Sequence, residues 1–178
     1  MREQIRREIE SISPLDALER DTIADVITWI DSGTELCRIE KPANPTKHLV
    51  SYFVVVDAEH LLLVDHINAE KWLPTGGHVD PGEHPKDTVK REAYEELRIQ
   101  ADFLRDWPIL LTSTETVGKT AGHTDISLWY ALKGQQASPL TISQNEFHEA
   151  RWFHIEKLPF NTDPHLRRFV EKFYGQAV

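Results

Sequence analysis

The chain has 178 residues, with a hydrophobic share of 40% and a charged share of 28%, which suits one globular domain with a substantial core. Its 20 basic and 29 acidic residues leave a net charge of −9, and no basic run is long enough to line a nucleic-acid groove, so no nucleic-acid partner is expected. Cys37 is the single cysteine, which excludes an intrachain disulfide and a thiolate metal cluster. No apolar stretch reaches the ~18 residues of a membrane span, so no membrane partner is expected. The first residues lack a signal-peptide core, so cytoplasmic residence is the expectation.

Residues 1–33 read as helical. Ile5 and Ile9 fit one apolar stripe, Pro14 after Ser13 marks a restart, and Ile23, Val26, Ile27 and Ile30 form a second stripe that ends at Gly33. This 1–40 extension is read either as a cap over a cleft or as the surface of a homodimer. A turn-rich link with two prolines follows at 40–46. Strands are expected at 49–56 and 61–64, joined through Asp57, Ala58, Glu59 and His60 as a hairpin, and Trp72-Leu73-Pro74 leads into a glycine turn. Further strands are expected at 103–111, 126–132 and 151–154, with a glycine-flanked loop at 118–122, a turn at 156–159 and a closing helix at 164–174. Strands on both sides of a central helix give a mixed α/β class.

The central helix is expected over 85–98. Pro85 suits a first helical position, Asp87 complements the positive end, and Val89, Ala93 and Leu97 repeat at four-residue intervals. At about 100° per residue, Glu92, Glu95 and Glu96 then crowd one side of the helix. Each like-charged pair one turn apart costs roughly 0.2–0.5 kcal/mol. A bound divalent cation reverses that sign, and ligands that are all oxygen favour Mg²⁺ or Mn²⁺. Arg91 can hold one of the carboxylates by a bidentate pair. Gly76 and Gly77 permit a close backbone approach, so that a carbonyl there can join the coordination, and Glu83 can fold back toward the first turn.

The run Gly-His-Val-Asp-Pro-Gly-Glu at 77–83, followed after seven residues by Arg-Glu-Ala-Tyr-Glu-Glu at 91–96, resembles the signature of the Nudix hydrolases. The resemblance covers roughly 47–160, read as the catalytic domain, with 161–178 as a helix packed on it. It implies a mixed β-sheet sandwiched between helices. It also implies a Mg²⁺-dependent pyrophosphohydrolase, with Mn²⁺ as a substitute, that cleaves a phosphoanhydride in a nucleoside diphosphate linked to another moiety. Glu92, Glu95 and Glu96 would be the main metal ligands, with Glu83 and the Gly76 carbonyl contributing and Arg91 orienting them. The family also implies an acid on a loop before the late tryptophan strand. Glu146 is the first choice for it and Glu149 the second, and either Glu92 or Glu146 would be the general base.

One position departs from the pattern. Arg98 stands where the family carries a helix-ending glycine, and a rearranged helix end is expected there. His78, beside Gly77, is read as packing locally in preference to touching phosphate, and Trp72 and Trp129 as core residues. Lys119 and Asp125 are read as ordinary loop and turn residues, with substrate contacts as the alternative. The nine histidines show no helical ligand spacing. Two other readings stand beside hydrolysis: a ligand-sensing module without turnover, and an isoprenoid diphosphate isomerase, which would need a cysteine in the site.

Overall fold

In a computed structural model, residues 1–40, 44–116 and 122–175 are described. Lys119 and most of the 118–122 loop therefore lie outside the described residues. Two helices come first, α1 (Arg2–Glu10) and α2 (Ala17–Asp31). Helix α2 restarts at Ala17, four residues beyond Ser13, because the Asp16 side chain accepts the Glu19 amide at 2.9 Å and supplies the cap.

Strand β1 (Lys47–Asp57) is the spine of a seven-stranded sheet. Its hairpin with β2 (His60–His66) turns at Ala58 and Glu59, as expected, pairing Asp57 with His60. Two short strands, β3 (Lys71–Leu73) and β4 (Thr75–His78), flank Pro74; β3 pairs with β2, and β4 pairs antiparallel with β1. The central helix α3 (Pro85–Leu97) follows. Then come β5 (Leu110–Glu115), β6 (Thr124–Lys133) and β7 (Phe147–His154). Strand β6 lies parallel to β1, and β7 closes against β2. A short 3-10 helix (Ile155–Lys157) and helix α4 (Leu166–Gly175) end the described chain.

Two strand expectations need correction. The strand drawn at 103–111 begins only at Leu110. Residue 103 makes a lone bridge to Leu132, and Pro108, with no N–H to give a ladder, keeps the stretch before Ile109 irregular. The strand drawn at 151–154 starts at Phe147, hidden from the sequence because His148 and Glu149 are both exposed and polar and break the apolar alternation.

Alternation along β1 sorts the core into two layers. Phe53 and Val55 face one side with Leu128, Tyr130, Val89 and Ala93, whereas Val54 and Val56 face the other with Trp129, Leu166 and Phe169. Ile5, Ile9, Ile23, Val26 and Ile30 belong to the first layer, buried with the residues of α3. The apolar stripes of the two N-terminal helices are thus largely buried within the chain itself. On the other side, α4 is fastened to α2 by two ion pairs. Lys172 Nζ meets Glu19 Oε1 at 2.6 Å, both side chains almost fully buried, and Arg168 clasps Asp16 with both terminal nitrogens. Glu19 also accepts the amides of Leu15 and Leu111, which pins α2 to β5. Among the described residues no helix is long and apolar enough to cross a membrane.

Candidate active site

Helix α3 forms for the local reasons read from its sequence. His84 caps it by accepting the Lys86 amide, Pro85 opens it, and Val89, Ala93 and Leu97 are buried against the sheet. Its far end differs from expectation. Arg98 adopts the left-handed conformation itself, at φ 55° and ψ 30°, and the Arg98 and Ile99 amides reach back to Tyr94 and Ala93. The glycine-type cap is kept without glycine. The Arg98 guanidinium lies 5.2 Å over the Tyr94 ring, and this contact offsets part of the strain of about 1–2 kcal/mol.

The sheet presses directly on the acidic side of α3. Gly76, at φ 154°, has no room for a Cβ beside the Ser51 carbonyl, and a Cβ on Gly77 would overlap Glu92 Oε1. Through this contact the Gly76 amide donates to Glu96 Oε2 at 3.1 Å. Glu96 is 4% exposed. Burial, then the charges of Glu92 and Glu146, push its carboxyl up to about 9. Glu92 is raised as well, by burial and by Glu95 and Glu146, against the lowering effect of Arg91. These are carboxylates forced together without enough positive charge.

Among the described residues Arg91 is the cation in direct contact with these carboxylates. It grips Glu83 with two nitrogens, at 3.0 and 2.9 Å, and reaches Glu92 at 2.6 Å and the His78 carbonyl at 3.2 Å. Glu95 lies 3.6 Å from the same guanidinium and is largely exposed. The bidentate partner is therefore Glu83, which also accepts from Thr88 and from the Asp80 amide. Its oxygens are occupied by protein donors, and Arg91 and these bonds hold its carboxyl below the usual range despite partial burial. In this arrangement Glu83 anchors Arg91, and Glu92, Glu95 and Glu96 gather on the neighbouring face of α3.

The loop before β7 delivers Glu146. Its Ser143 amide donates to the Glu96 carbonyl at 2.9 Å, docking the loop on the end of α3, and Ser143 Oγ donates to Glu146 Oε1 at 3.0 Å. Glu149 is not brought in; it lies on β7, exposed, paired with Arg151 at 2.7 Å. A cavity of about 260 Å³ opens between these parts, lined by Tyr52, His66, Gly76, His78, Glu96 and Asp125 among others. Trp129 is fully buried with its indole N–H on Thr112, and Trp72 packs on Phe153, so both are packing residues.

The sequence reading missed one constellation. His48 at the start of β1, His78 at the end of β4, His123 just before β6 and Asp125 within it come together, and His78 and Asp125 of the four line the cavity. Parallel pairing sets His48 beside Asp125, and antiparallel pairing sets His78 against Val50. Burial and then the Arg38 guanidinium keep the His78 imidazole largely neutral, its pKa lowered to about 4. The His-Thr-Asp spacing at 123–125, one histidine opening β1 and one closing the glycine turn, was the available signal; only the register connects them.

Comparison with known proteins agrees with this geometry. The chain is 40% identical over 112 residues to mouse bis(5'-nucleosyl)-tetraphosphatase [asymmetrical], covering 62% of this chain and 74% of that protein. Among solved structures, the MutT protein from Methanosarcina mazei Go1 superposes with a TM-score of 0.60 at 23% identity, over 74% of this chain and 95% of that one. A UDP-X diphosphatase superposes with the same TM-score at 16% identity over 98% of this chain and 93% of its own, so the shared fold extends to the amino-terminal helices. The NUDIX domain matches residues 47–173, which carry the glycine turn, the acidic helix and the loop of Glu146: the chain belongs to the NUDIX family, as a pyrophosphohydrolase.

Proposed function

We propose that this protein is a Mg²⁺-dependent hydrolase of a phosphoanhydride in a nucleoside diphosphate joined to another group, with dinucleoside polyphosphates the first class to test. The mouse relative, named for a bis(5'-nucleosyl)-tetraphosphate, supports that class. One observation carries the reading: Glu96 is buried among Glu92, Glu95 and Glu146, which raises its pKa to about 9. Such a group is stable in its charged form only with a cation at its oxygens. The donors are all oxygen, and that chemistry fits Mg²⁺, with Mn²⁺ as substitute. Glu92, Glu95 and Glu96, with the Gly76 carbonyl, would hold it; when bound, it neutralises pyrophosphate oxygens and acidifies water.

The chain's own residues supply the rest. Arg91, anchored on Glu83, fixes the Glu92 carboxylate against Gly77. Glu146 is the proposed base. It is exposed, its side chain is bonded to Ser143 alone among the described residues, and its charge is felt by both Glu92 and Glu96. A carboxylate on the open side of the site is free to take a proton from attacking water, whereas Glu92 is committed to Arg91. Cys37 does not support isomerase chemistry: it is buried in the core, and burial pushes its thiol up to about 11.

The test is a screen of dinucleoside polyphosphates, nucleotide sugars, ADP-ribose and nucleoside triphosphates for Mg²⁺-dependent phosphate or nucleotide release, followed by turnover in ¹⁸O-water. Cleavage of one class, with label on a single phosphorus and lost in Glu146→Gln, is expected. Absence of turnover on every class with Mg²⁺ or Mn²⁺, despite tight binding of one, would replace hydrolysis with sensing.

A further inference from the structure

We infer that His48, His78, His123 and Asp125 form a second cation site, distinct from the carboxylates of α3 and suited to Zn²⁺ or a similar imidazole-preferring divalent ion. One donor atom from each of the four lies within 4.8 Å of the others. The imidazole nitrogens Nε2 of His48, His123 and His78 stand 3.2, 3.4 and 3.9 Å from Asp125 Oδ1. In a tetrahedral Zn²⁺ shell with ligand bonds of about 2.0–2.1 Å, donors sit roughly 3.3 Å apart, so the cluster needs only a modest contraction.

The second observation concerns satisfaction of buried polar atoms. His48 is fully buried, and its Nδ1 lies 2.8 Å from the Pro45 carbonyl. A carbonyl only accepts, so Nδ1 carries the proton and, in the neutral ring, Nε2 points its lone pair at the cluster. That Nε2 has no hydrogen-bond partner, and neither does the buried Oδ1 of Asp125. Two buried acceptors facing each other without a donor are costly, and a cation between them satisfies both. His123 has a similar placement, with Nδ1 3.1 Å from Thr116 Oγ1 and Nε2 3.4 Å from Asp125 Oδ1. Metal-bound histidines are held from behind by such bonds.

Three imidazoles and one carboxylate differ in kind from the all-oxygen group on α3. Imidazole ranks Zn²⁺ far above Mg²⁺, so the two sites select different ions. Arg38 is the competitor: its guanidinium lies 3.2 Å from His78 Nε2 and must withdraw when the ion enters. Because His78 and Asp125 also line the cavity, the ion would add a fixed positive charge to the wall across from Glu96.

Calorimetry on chelator-treated full-length protein, with Mg²⁺ in excess to saturate the carboxylates, tests this directly. One equivalent of Zn²⁺ is expected to bind to the wild type. His123→Gln and Asp125→Asn, both checked for native circular dichroism, should weaken it at least about tenfold, the scale seen when a ligand or its support is removed. Glu96→Gln should bind Zn²⁺ like the wild type, whatever happens to turnover. No Zn²⁺ uptake by the wild type would overturn the inference. So would uptake unchanged in both cluster variants, or uptake lost in Glu96→Gln alone, which would return the ion to the helix.

Discussion

Glu19 and Glu96 are both nearly inaccessible carboxylates, at 1% and 4% exposure, yet the fold surrounds them in opposite ways. Glu19 has a lysine at 2.6 Å and two backbone amides, so its charge is matched where it lies. Glu96 has one amide and three acidic neighbours. The first arrangement joins α2, α4 and β5 and needs nothing from solution. The second leaves its charge unmatched by the chain, and in the proposed function a cation completes it. Buried charge is structural where its partners are covalent parts of the chain, and functional where the partner is left to be supplied.

The largest effect that would break this contrast is on the structural side. Lys172→Ala strands Glu19 without its counter-charge and should cost about 3–5 kcal/mol, visible as a lower denaturation midpoint, with the remaining folded protein still active. A small loss would mean that Glu19 simply takes up a proton. Glu96→Gln is next: turnover should fall by at least about a hundredfold, roughly 2.7 kcal/mol of barrier, while the fold is unchanged. Wild-type turnover by that variant would remove Glu96 from the metal group. Glu83→Gln, which frees Arg91 without touching the three helix carboxylates, should lower kcat by about tenfold and weaken Mg²⁺ binding.

A pH effect sharpens the comparison further. The folded-state pKa of Glu96 lies above its ordinary value, so the native state keeps a proton that the unfolded chain releases. Without divalent ion, this contribution to stability is therefore present below about pH 4.5 and declines up to about pH 9. Mg²⁺ should abolish the decline, and Glu96→Gln should raise the melting temperature of metal-free protein at pH 8 by about 2–4 °C, as for a change of about 1 kcal/mol in a chain of this size. The smallest expected change is at the helix end. Arg98→Gly relieves the left-handed strain but loses the Tyr94 contact, and should stabilise by less than about 1 kcal/mol.

Local features of this molecule were legible and long-range ones were not. The acidic face of α3, its proline start and its apolar stripe are consequences of helical periodicity alone, so the sequence reading matched Pro85–Leu97 to within a residue. The β1–β2 hairpin was equally local. Glu146 could be assigned to a loop, but the hydrogen bond from the Ser143 amide to the Glu96 carbonyl that docks this loop on α3 depends on tertiary packing. The Arg91–Glu83 pair shows the same limit: a carboxylate partner for Arg91 was expected, but spacing along the helix does not say which one. His48, His78 and His123 are separated by tens of residues and meet only because β1, β4 and β6 pair in one particular register.

The contact between Gly77 and Glu92 has a wider consequence. The strand backbone and the helix carboxylate lie so close that no side chain fits between them, so a shift of either is opposed by the other. Adjustment to a new leaving group is easier at another part of the cavity lining, where His66 ends β2 and Asn68 and Ala69 stand on the turn that follows. Selectivity can drift there over evolutionary time while the acid-bearing wall stays still.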